Sequence, residues 1–327
     1  MSSRRAFDPI ATVEAAYDTN PDFESWARGV VESTVPYLDA GLGVVGFTVR
    51  ASEPGSIIEV GAGALSDDML QVVHQMTRNV GPAHSLLFRP LVGTVSALLP
   101  GFKADAGPED FNEVRTKWWD PFGVRDSLGV IAQADSDLLF VITAPLPRIL
   151  KLTHERKRQL ECCATHIGAA LRLRRVPAQE HAVVRPDGVV EHAVGLAKEK
   201  RALEALRRRA IEIDRARTKL RRRDPDEALS LWKGLLEGEW SLVERFERDG
   251  RRYYIACENP VDGQGPRSLT RRERQVVELV SRGHTNKLAA YTLGVSESAI
   301  SLHLSRALKK LGLRTRIELV QVAGKGE

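Results

Sequence analysis

The sequence predicts a multidomain α+β protein, and three observations carry this prediction. The chain has 327 residues, more than one hydrophobic core usually serves. Apolar residues alternate with polar ones in short runs bounded by Gly, Pro, Asp and Ser, which predicts antiparallel strands. Other segments place apolar residues at three- and four-residue spacing, which predicts helices, and the last sixty residues contain only such segments. We expect three domains, over residues 1–175, 182–260 and 266–327.

Residues 1–175 predict one antiparallel sheet with helices. The expected elements are two helices between Asp8 and Ala40, strands over 41–51 and 57–63, a helix over 66–78, strands over 126–134 and 137–145, and a helix from Thr153. This order and the hairpin "LGVIAQADSDLLFVITAP" resemble GAF-type sensor domains. The resemblance implies a small-molecule pocket walled by residues 79–123. The candidate ligand contacts are Phe111, Trp118, Trp119 and Phe122, and the alternative for these aromatics is ordinary core packing.

Residues 182–260 predict a small α/β module of two hairpins around a helical segment. The first hairpin, over 182–194, turns at Pro186-Asp187-Gly188, and the second, over 239–260, turns at Asp249-Gly250. The first hairpin resembles strands of PAS-like sensor modules. We expect the two hairpins to pair into one four-stranded sheet.

The segment between the hairpins is strongly basic. Residues 198–223 contain 12 Lys/Arg against 4 Asp/Glu. Apolar residues at heptad spacing predict one long helix over 196–223; they are Leu196, Leu203, Leu206, Ala210, Ile213 and Leu220. Two interpretations stay open. Either this helix pairs with its copy in a homodimer, with its outer arginines near DNA, or its apolar stripe packs on the hairpins of its own chain.

Residues 266–327 carry start and stop signals for four helices. Thr270 and Glu273 have the spacing of a capping box, and glycines follow each of the first three helical patterns. The third helix is expected over 297–311, capped by Ser296. Two helices joined by a short turn with Gly, the second of them long with a small polar face, are typical of a helix-turn-helix.

The same residues closely resemble the LuxR/FixJ-type DNA-binding domain. The matching residues are Leu269, Thr270, Arg272, Glu273, Gly283, Asn286, Lys287, Ala290, Leu293, Gly294, Val295, Ser296, Ile300, His303, Lys310, Leu311, Gly312 and Arg316. The resemblance covers about a sixth of the chain. It implies a transcription regulator whose helix 297–311 enters the major groove of double-stranded DNA. Leu288 departs from the family, which usually has an acidic residue there.

The resemblance and the local charge predict the DNA contacts. Residues 266–327 contain 12 Lys/Arg against 5 Asp/Glu, which suits a polyanionic partner. The predicted contacts are Asn286, Lys287, Ser296, Ser298, Ser301, Leu302, Ser305, Arg306, Lys309 and Lys310. The positions that contact base edges in relatives correspond to Ser301, Leu302 and Ser305, and none is Lys or Arg, so the base preference stays open.

Several classes of protein are not predicted. No phosphate loop, nucleophile elbow or dinucleotide-binding turn is present, and the three cysteines form no CxxC pair, so we expect no enzyme, cofactor or metal site. No apolar run is long enough for a membrane span or signal peptide, so we expect a cytoplasmic protein without membrane partners. The expected partners are double-stranded DNA, a second copy, RNA polymerase and an unidentified small molecule. The alternatives are an interaction module that binds the transcription machinery without DNA contact, and a sensory enzyme.

Overall fold

The computed structural model divides the chain into two compact units, Met1–Arg175 and Val176–Glu327. It describes residues 7–18, 22–50, 56–78, 92–97, 116, 119–134, 138–175, 180–233, 240–246, 252–258 and 269–323. Helices and antiparallel sheets together confirm the predicted α+β class. The second unit contains both the predicted middle module and the helical end, and the division into three domains stays a prediction. No helix among the described residues combines the length and apolar character that a membrane crossing needs.

The N-terminal unit is an antiparallel sheet with helices. Its elements are α1 (Pro9–Ala16), α2 (Phe23–Leu38), β1 (Val44–Arg50), β2 (Ser56–Ala62), α3 (Asp67–Arg78), β3 (Val92–Thr94), β4 (Asp126–Gln133), β5 (Leu138–Leu146) and α4 (His154–Arg175). The strand order is β2-β1-β5-β4-β3. Phe140 of β5 packs against Trp26 of α2, whereas Phe47 and Val141 belong to a cluster that packs against α3. Both faces of the sheet are therefore apolar and covered.

Two of the four candidate ligand-contacting aromatics lie in a hydrophobic cluster. Trp119 is 7 % exposed and packs with Met69 and Val124, and Phe122 is packed against the same cluster. Phe111 and Trp118 lie outside the described residues. The packing of Trp119 agrees with an ordinary core role, and a ligand contact at these aromatics stays a prediction.

The first half of the second unit is a four-stranded antiparallel sheet with short helices. Its elements are β6 (Glu180–Val184), β7 (Val190–Ala193), α5 (Lys200–Ala216), α6 (Leu220–Arg223), α7 (Pro225–Leu231), β8 (Trp240–Phe246) and β9 (Arg252–Glu258), with a 3₁₀ turn over Gly195–Lys198 before α5. The order β7-β6-β9-β8 shows that the two hairpins form one sheet, as predicted. Gly188 has φ +85° in the first hairpin turn, a conformation that favours glycine.

The prediction of one continuous helix over 196–223 is wrong, because the helix ends at Ala216 and resumes at Leu220. Thr218 donates its hydroxyl hydrogen to the carbonyl of Arg215 at 2.8 Å, a local bond that competes with the helical ladder. The guanidinium carbon of Arg217 lies 5.6 Å from the ring centroid of Trp232. The buried side of α5 contacts α7 and β6 of its own chain. These contacts favour intrachain packing over a dimer seam.

The second half of the unit consists of four described helices. They are α8 (Arg271–Ser281), α9 (Asn286–Leu293), α10 (Glu297–Leu311) and α11 (Arg316–Ala323). Their shared core contains Val276, Val280, Ala289, Ala290, Leu293, Ile300, Leu304 and Leu319. The third helix occupies the residues that the sequence predicted for it.

Candidate nucleic-acid interface

Side-chain caps set where the helices of this region begin. The Thr270 hydroxyl accepts from the Glu273 backbone N–H at 3.3 Å, and the Glu273 carboxylate accepts from the Thr270 N–H at 2.8 Å, which completes the predicted capping box. Thr285 and Ser296 cap α9 and α10 by accepting from backbone N–H groups three residues on. Gly294 ends α9 with φ +67°. These local signals fix the turn between α9 and α10.

Helix α10 separates a buried apolar face from an exposed face of hydroxyls, one leucine and two cations. Ile300, Leu304 and Ala307 are buried against the other helices. The outward side carries Ser298, Ser301, Leu302, Ser305, Arg306 and Lys309, all exposed. The side chain of Leu302 is 49 % exposed, and an isolated exposed leucine beside hydroxyls suits contact with a thymine methyl group.

Asn286 connects α9 with both α10 and α11. Its side-chain nitrogen donates to the Ser301 hydroxyl at 3.1 Å, and its oxygen accepts from the Arg316 guanidinium at 3.2 Å. Arg316 also donates to the His284 carbonyl. Leu288, where the family usually has a carboxylate, is buried. Among the predicted DNA contacts, Asn286 therefore has a positioning role within the protein.

Lys310 also forms a bond within the protein. Its ammonium group lies 2.7 Å from the Glu273 carboxylate, which is itself 3 % exposed. The hydrogen bond from Lys310 and the backbone N–H of Thr270 lower the pKa of Glu273 to about 2. The sequence predicted Lys310 as a phosphate contact, but this ion pair connects α10 with α8.

Four cations of this region remain available to an anionic partner. The side chains of Lys287, Arg306, Lys309 and Arg314 are exposed and pair with no carboxylate among the described residues. Arg314 was not among the predicted contacts. It lies in the loop after α10, where the helical pattern used to choose candidates had already ended.

Arg314 and Lys309 border an open groove along α10. The groove has a volume of about 380 Å³ and is lined by Asn286, Ser301, Leu304, Ser305, Leu308, Lys309, Leu313 and Arg314. The lining includes the hydroxyls of Ser301 and Ser305 and the cations of Lys309 and Arg314, so it can donate hydrogen bonds to base edges and phosphates alike. Among the described residues, no three His, Cys, Asp or Glu side chains meet in a metal-binding cluster.

His284 is a buried histidine two residues before α9, and its carbonyl accepts from Arg316. Burial, Arg282 and Arg316 lower its pKa to about 4. Its Nδ1 has no hydrogen-bond partner among the described residues. The side chain is therefore neutral at pH 7 and contributes no charge to the interface.

Comparison with known proteins identifies this region. Residues 267–323 match the model of the GerE family, described as bacterial regulatory proteins, luxR family. The nitrate/nitrite response regulator protein NarL of Escherichia coli K12 is 40% identical over 50 residues, which are 15% of this chain and 23% of that protein. The glycerol metabolism activator of Pseudomonas putida is 35% identical over 57 residues, 17% of this chain and 26% of the relative. The chain thus spans about a quarter of the length of these two relatives.

A short relative matches over most of its own length. The spore germination protein GerE of Bacillus subtilis is 42% identical over 52 residues, which are 16% of this chain and 70% of that protein. Residues 267–323, which match the family model, contain the capping box, the α9–α10 turn and the exposed face of α10 described above. The chain therefore belongs to the luxR family of bacterial regulatory proteins.

Proposed function

We propose that this protein is a sequence-specific, DNA-binding transcription regulator whose helix α10 enters the major groove. The observation that carries the proposal is the exposed face of α10, where hydroxyls and Leu302 lie between cations that no described carboxylate neutralises. Hydroxyls and an apolar side chain suit base edges. Lys287, Arg306, Lys309 and Arg314 suit phosphate oxygens.

A dimer on inverted half-sites completes this proposal. Two copies of α10 would then lie about one helical turn of DNA apart, roughly 34 Å. The broken basic helix argues against a coiled-coil seam at residues 196–223, so the dimer contact lies elsewhere in our proposal. RNA polymerase is a further proposed partner. Sedimentation of the full chain with and without a palindromic duplex tests the two-to-one stoichiometry.

The proposal is tested by equilibrium binding of the full chain to fluorescent duplex DNA across a salt series. The double variant Arg306→Glu/Lys309→Glu should lose most of the affinity, because two phosphate contacts become repulsive. The matched control is Arg148→Glu/Lys151→Glu, which changes the net charge equally on exposed residues of the N-terminal unit. Equal binding by the two variants would reject the role of α10. In that case Leu302 and the neutral serines would support the alternative, an interaction module for the transcription machinery.

We further propose that the N-terminal unit is a GAF-like sensory domain that controls DNA binding. Its support is a five-stranded sheet with one face under α2 and an apolar cluster on the other face, next to the Trp119 cluster. A small molecule would act by binding one conformation of the protein better than another. Comparing the DNA affinity of the full chain with that of residues 176–327 tests this control. Identical affinities and identical salt dependence would contradict it in the ligand-free protein.

A further inference from the structure

The outward side of helices α5 and α6 has more positive charge than ion pairs within the unit neutralise. Six cations on this side are exposed and have no ion-pair partner among the described residues. They are Lys200, Arg207, Arg208, Lys219, Arg222 and Arg223, and we name them the basic face. Other arginines nearby behave differently, since Arg209 pairs with Glu212 and Arg215 with Glu227. Glu204 is the exposed carboxylate that shares the α5 part of the face.

Folding does not account for this charge. The inward side of α5 buries apolar residues such as Leu206 and Ile213, which stabilises the helix without the exposed cations. Lys219 lies three and four residues before Arg222 and Arg223, and like charges at these spacings destabilise a helix. A favourable helix dipole offsets this only weakly, since α6 has four residues. Glu204, four residues after Lys200 and four before Arg208, offsets part of the charge on α5. The repulsion among Lys219, Arg222 and Arg223, in contrast, costs stability unless an anionic partner neutralises it.

Direct contacts hold the basic face near the DNA-binding helices. The Tyr291 hydroxyl on α9 donates to the Trp232 carbonyl at 2.7 Å. Arg209 of α5 has a side chain that is 5 % exposed. Its guanidinium donates at 2.6 Å to the carbonyl of Leu231, the residue before Trp232. Arg217 completes the set by placing its guanidinium over the Trp232 ring. The segment 231–232 thus bridges α5 and α9 within the second unit.

We propose that the basic face binds the phosphate backbone of the duplex that flanks the site occupied by α10. The inference rests on the proposed function and extends it from one helix to a second contact surface. Guanidinium groups bind phosphate with two parallel hydrogen bonds, which suits arginine-rich surfaces to nucleic acid. In this proposal the face contacts phosphates outside the base pairs that α10 touches, and the bonds to α9 hold it at a fixed position relative to the helix-turn-helix. The protein therefore covers a longer stretch of DNA than its helix-turn-helix alone.

The test uses the full chain and a binding site selected with it from a randomised pool of duplexes. This site is placed at the centre of duplexes of about 15 and 40 base pairs. Two double variants, Arg207→Gln/Arg208→Gln and Arg222→Gln/Arg223→Gln, remove guanidinium groups from exposed helical positions. Glutamine has nearly the helix propensity of arginine, so the fold is kept. Each variant should lower the slope of log K against log salt by about 1.8 and weaken binding to the long duplex roughly thirty-fold near 0.15 M salt. Binding to the short duplex should change less.

The control is Arg148→Gln/Lys151→Gln, which should keep the wild-type slope and length dependence. Sedimentation must show the same oligomeric state for all variants, so that a changed slope reports phosphate contacts. The proposal is overturned if both basic-face variants match the control on the long duplex. It is also overturned if they weaken binding to the two duplexes equally, since the contacts would then not be flanking. Failure of the proposed function has a different signature, in which neither duplex binds or Arg306→Glu/Lys309→Glu binds like the control.

Discussion

Helices α5 and α10 both bury apolar side chains on their inner sides, but their outer sides carry different polar groups. Ile213 of α5 and Ile300 of α10 are both buried in the core of the second unit. On the outside α5 presents guanidinium groups, such as that of Arg207, whereas α10 presents the hydroxyls of Ser301 and Ser305. In our proposal base contacts belong to α10 alone, whereas phosphate contacts come from cations on both helices.

This division has a physical basis. Phosphate contacts strengthen binding at every sequence, and base-edge contacts distinguish sequences. A helix crowded with arginines in the major groove would bind many sites tightly, because its electrostatic attraction is independent of sequence. In our proposal the serines and Leu302 of α10 provide the discrimination, and the basic face of α5 and α6 adds affinity to that of the cations on and near α10. Four predictions test this comparison.

The largest effects are expected from the shared inner sides. Ile213→Ala and Ile300→Ala should each lower the free energy of unfolding of the second unit by about 3 kcal/mol, from lost burial and a residual cavity. Ile211→Ala, at a position 49 % exposed, should change it by less than about 0.5 kcal/mol. Urea unfolding followed by circular dichroism, with hydrogen exchange to locate the change, measures both. A small effect of Ile213→Ala would restore the interpretation of α5 as an intermolecular seam.

The next effect concerns the ionisable side chains that are buried in the two regions. Arg209 near α7 is paired with Glu212, whereas burial and two arginines lower the pKa of His284 from its ordinary 6.5 to about 4. Since the unfolded chain binds a proton at His284 first, the folded state loses stability as the pH falls from 6.5 to about 4. The loss should be about 2–3 kcal/mol. Unfolding measured between pH 7 and 4 should show that His284→Leu removes this loss.

A matched control for the acid effect is Val280→Ala, which destabilises the same core without removing a titratable group. It should keep the wild-type pH dependence at lower overall stability. If His284→Leu and wild type lose stability in parallel over this range, His284 has the same pKa in the folded and unfolded states, and our description of it as a buried side chain with a lowered pKa is wrong.

Local signals explain why the sequence predicted some of these features and not others. The capping box at Thr270 and the positive φ of Gly294 and Gly312 depend on neighbouring residues, so the helix bounds near them could be predicted. At the break after Ala216, Arg217 instead lies over the ring of Trp232, fifteen residues away. Heptad spacing alone cannot show such a tertiary contact.

The same reasoning applies to the candidate site. The exposed hydroxyls of α10 followed from helical spacing, but the pairing of Lys310 with Glu273 joins residues 37 positions apart. Lys309 and Lys310 are adjacent in the sequence and equivalent in charge, and only the packing of α10 on α8 separates their roles. The Tyr291–Trp232 contact likewise connects segments that the sequence assigned to different domains.

The third prediction separates these two lysines. Lys310→Met should lower stability by about 1–2 kcal/mol at pH 7, since Glu273 loses a charged partner, and should leave the salt slope of DNA binding unchanged. Because the ion pair lowers the pKa of Glu273 from 4.5 to about 2, the difference from wild type should shrink as the pH falls through that range. Lys309→Met should do the reverse, with wild-type stability and a slope lower by about 0.9. Denaturation and DNA binding across a salt series, measured for both variants, test this prediction. A changed salt slope in Lys310→Met would mean that Lys310 contacts phosphate.

The smallest effect is expected at the exposed serines of α10, to which our proposal assigns sequence preference. Ser305 is exposed, so Ser305→Ala should alter the ranking of duplexes recovered from a randomised pool while weakening overall binding less than about ten-fold. The salt slope should stay at its wild-type value, because no charge is removed. Ser230→Ala, an exposed serine in α7, is the control and should keep the wild-type ranking. An unchanged ranking in Ser305→Ala would mean that this serine does not discriminate bases, and the division of roles between α5 and α10 would then rest on charge alone.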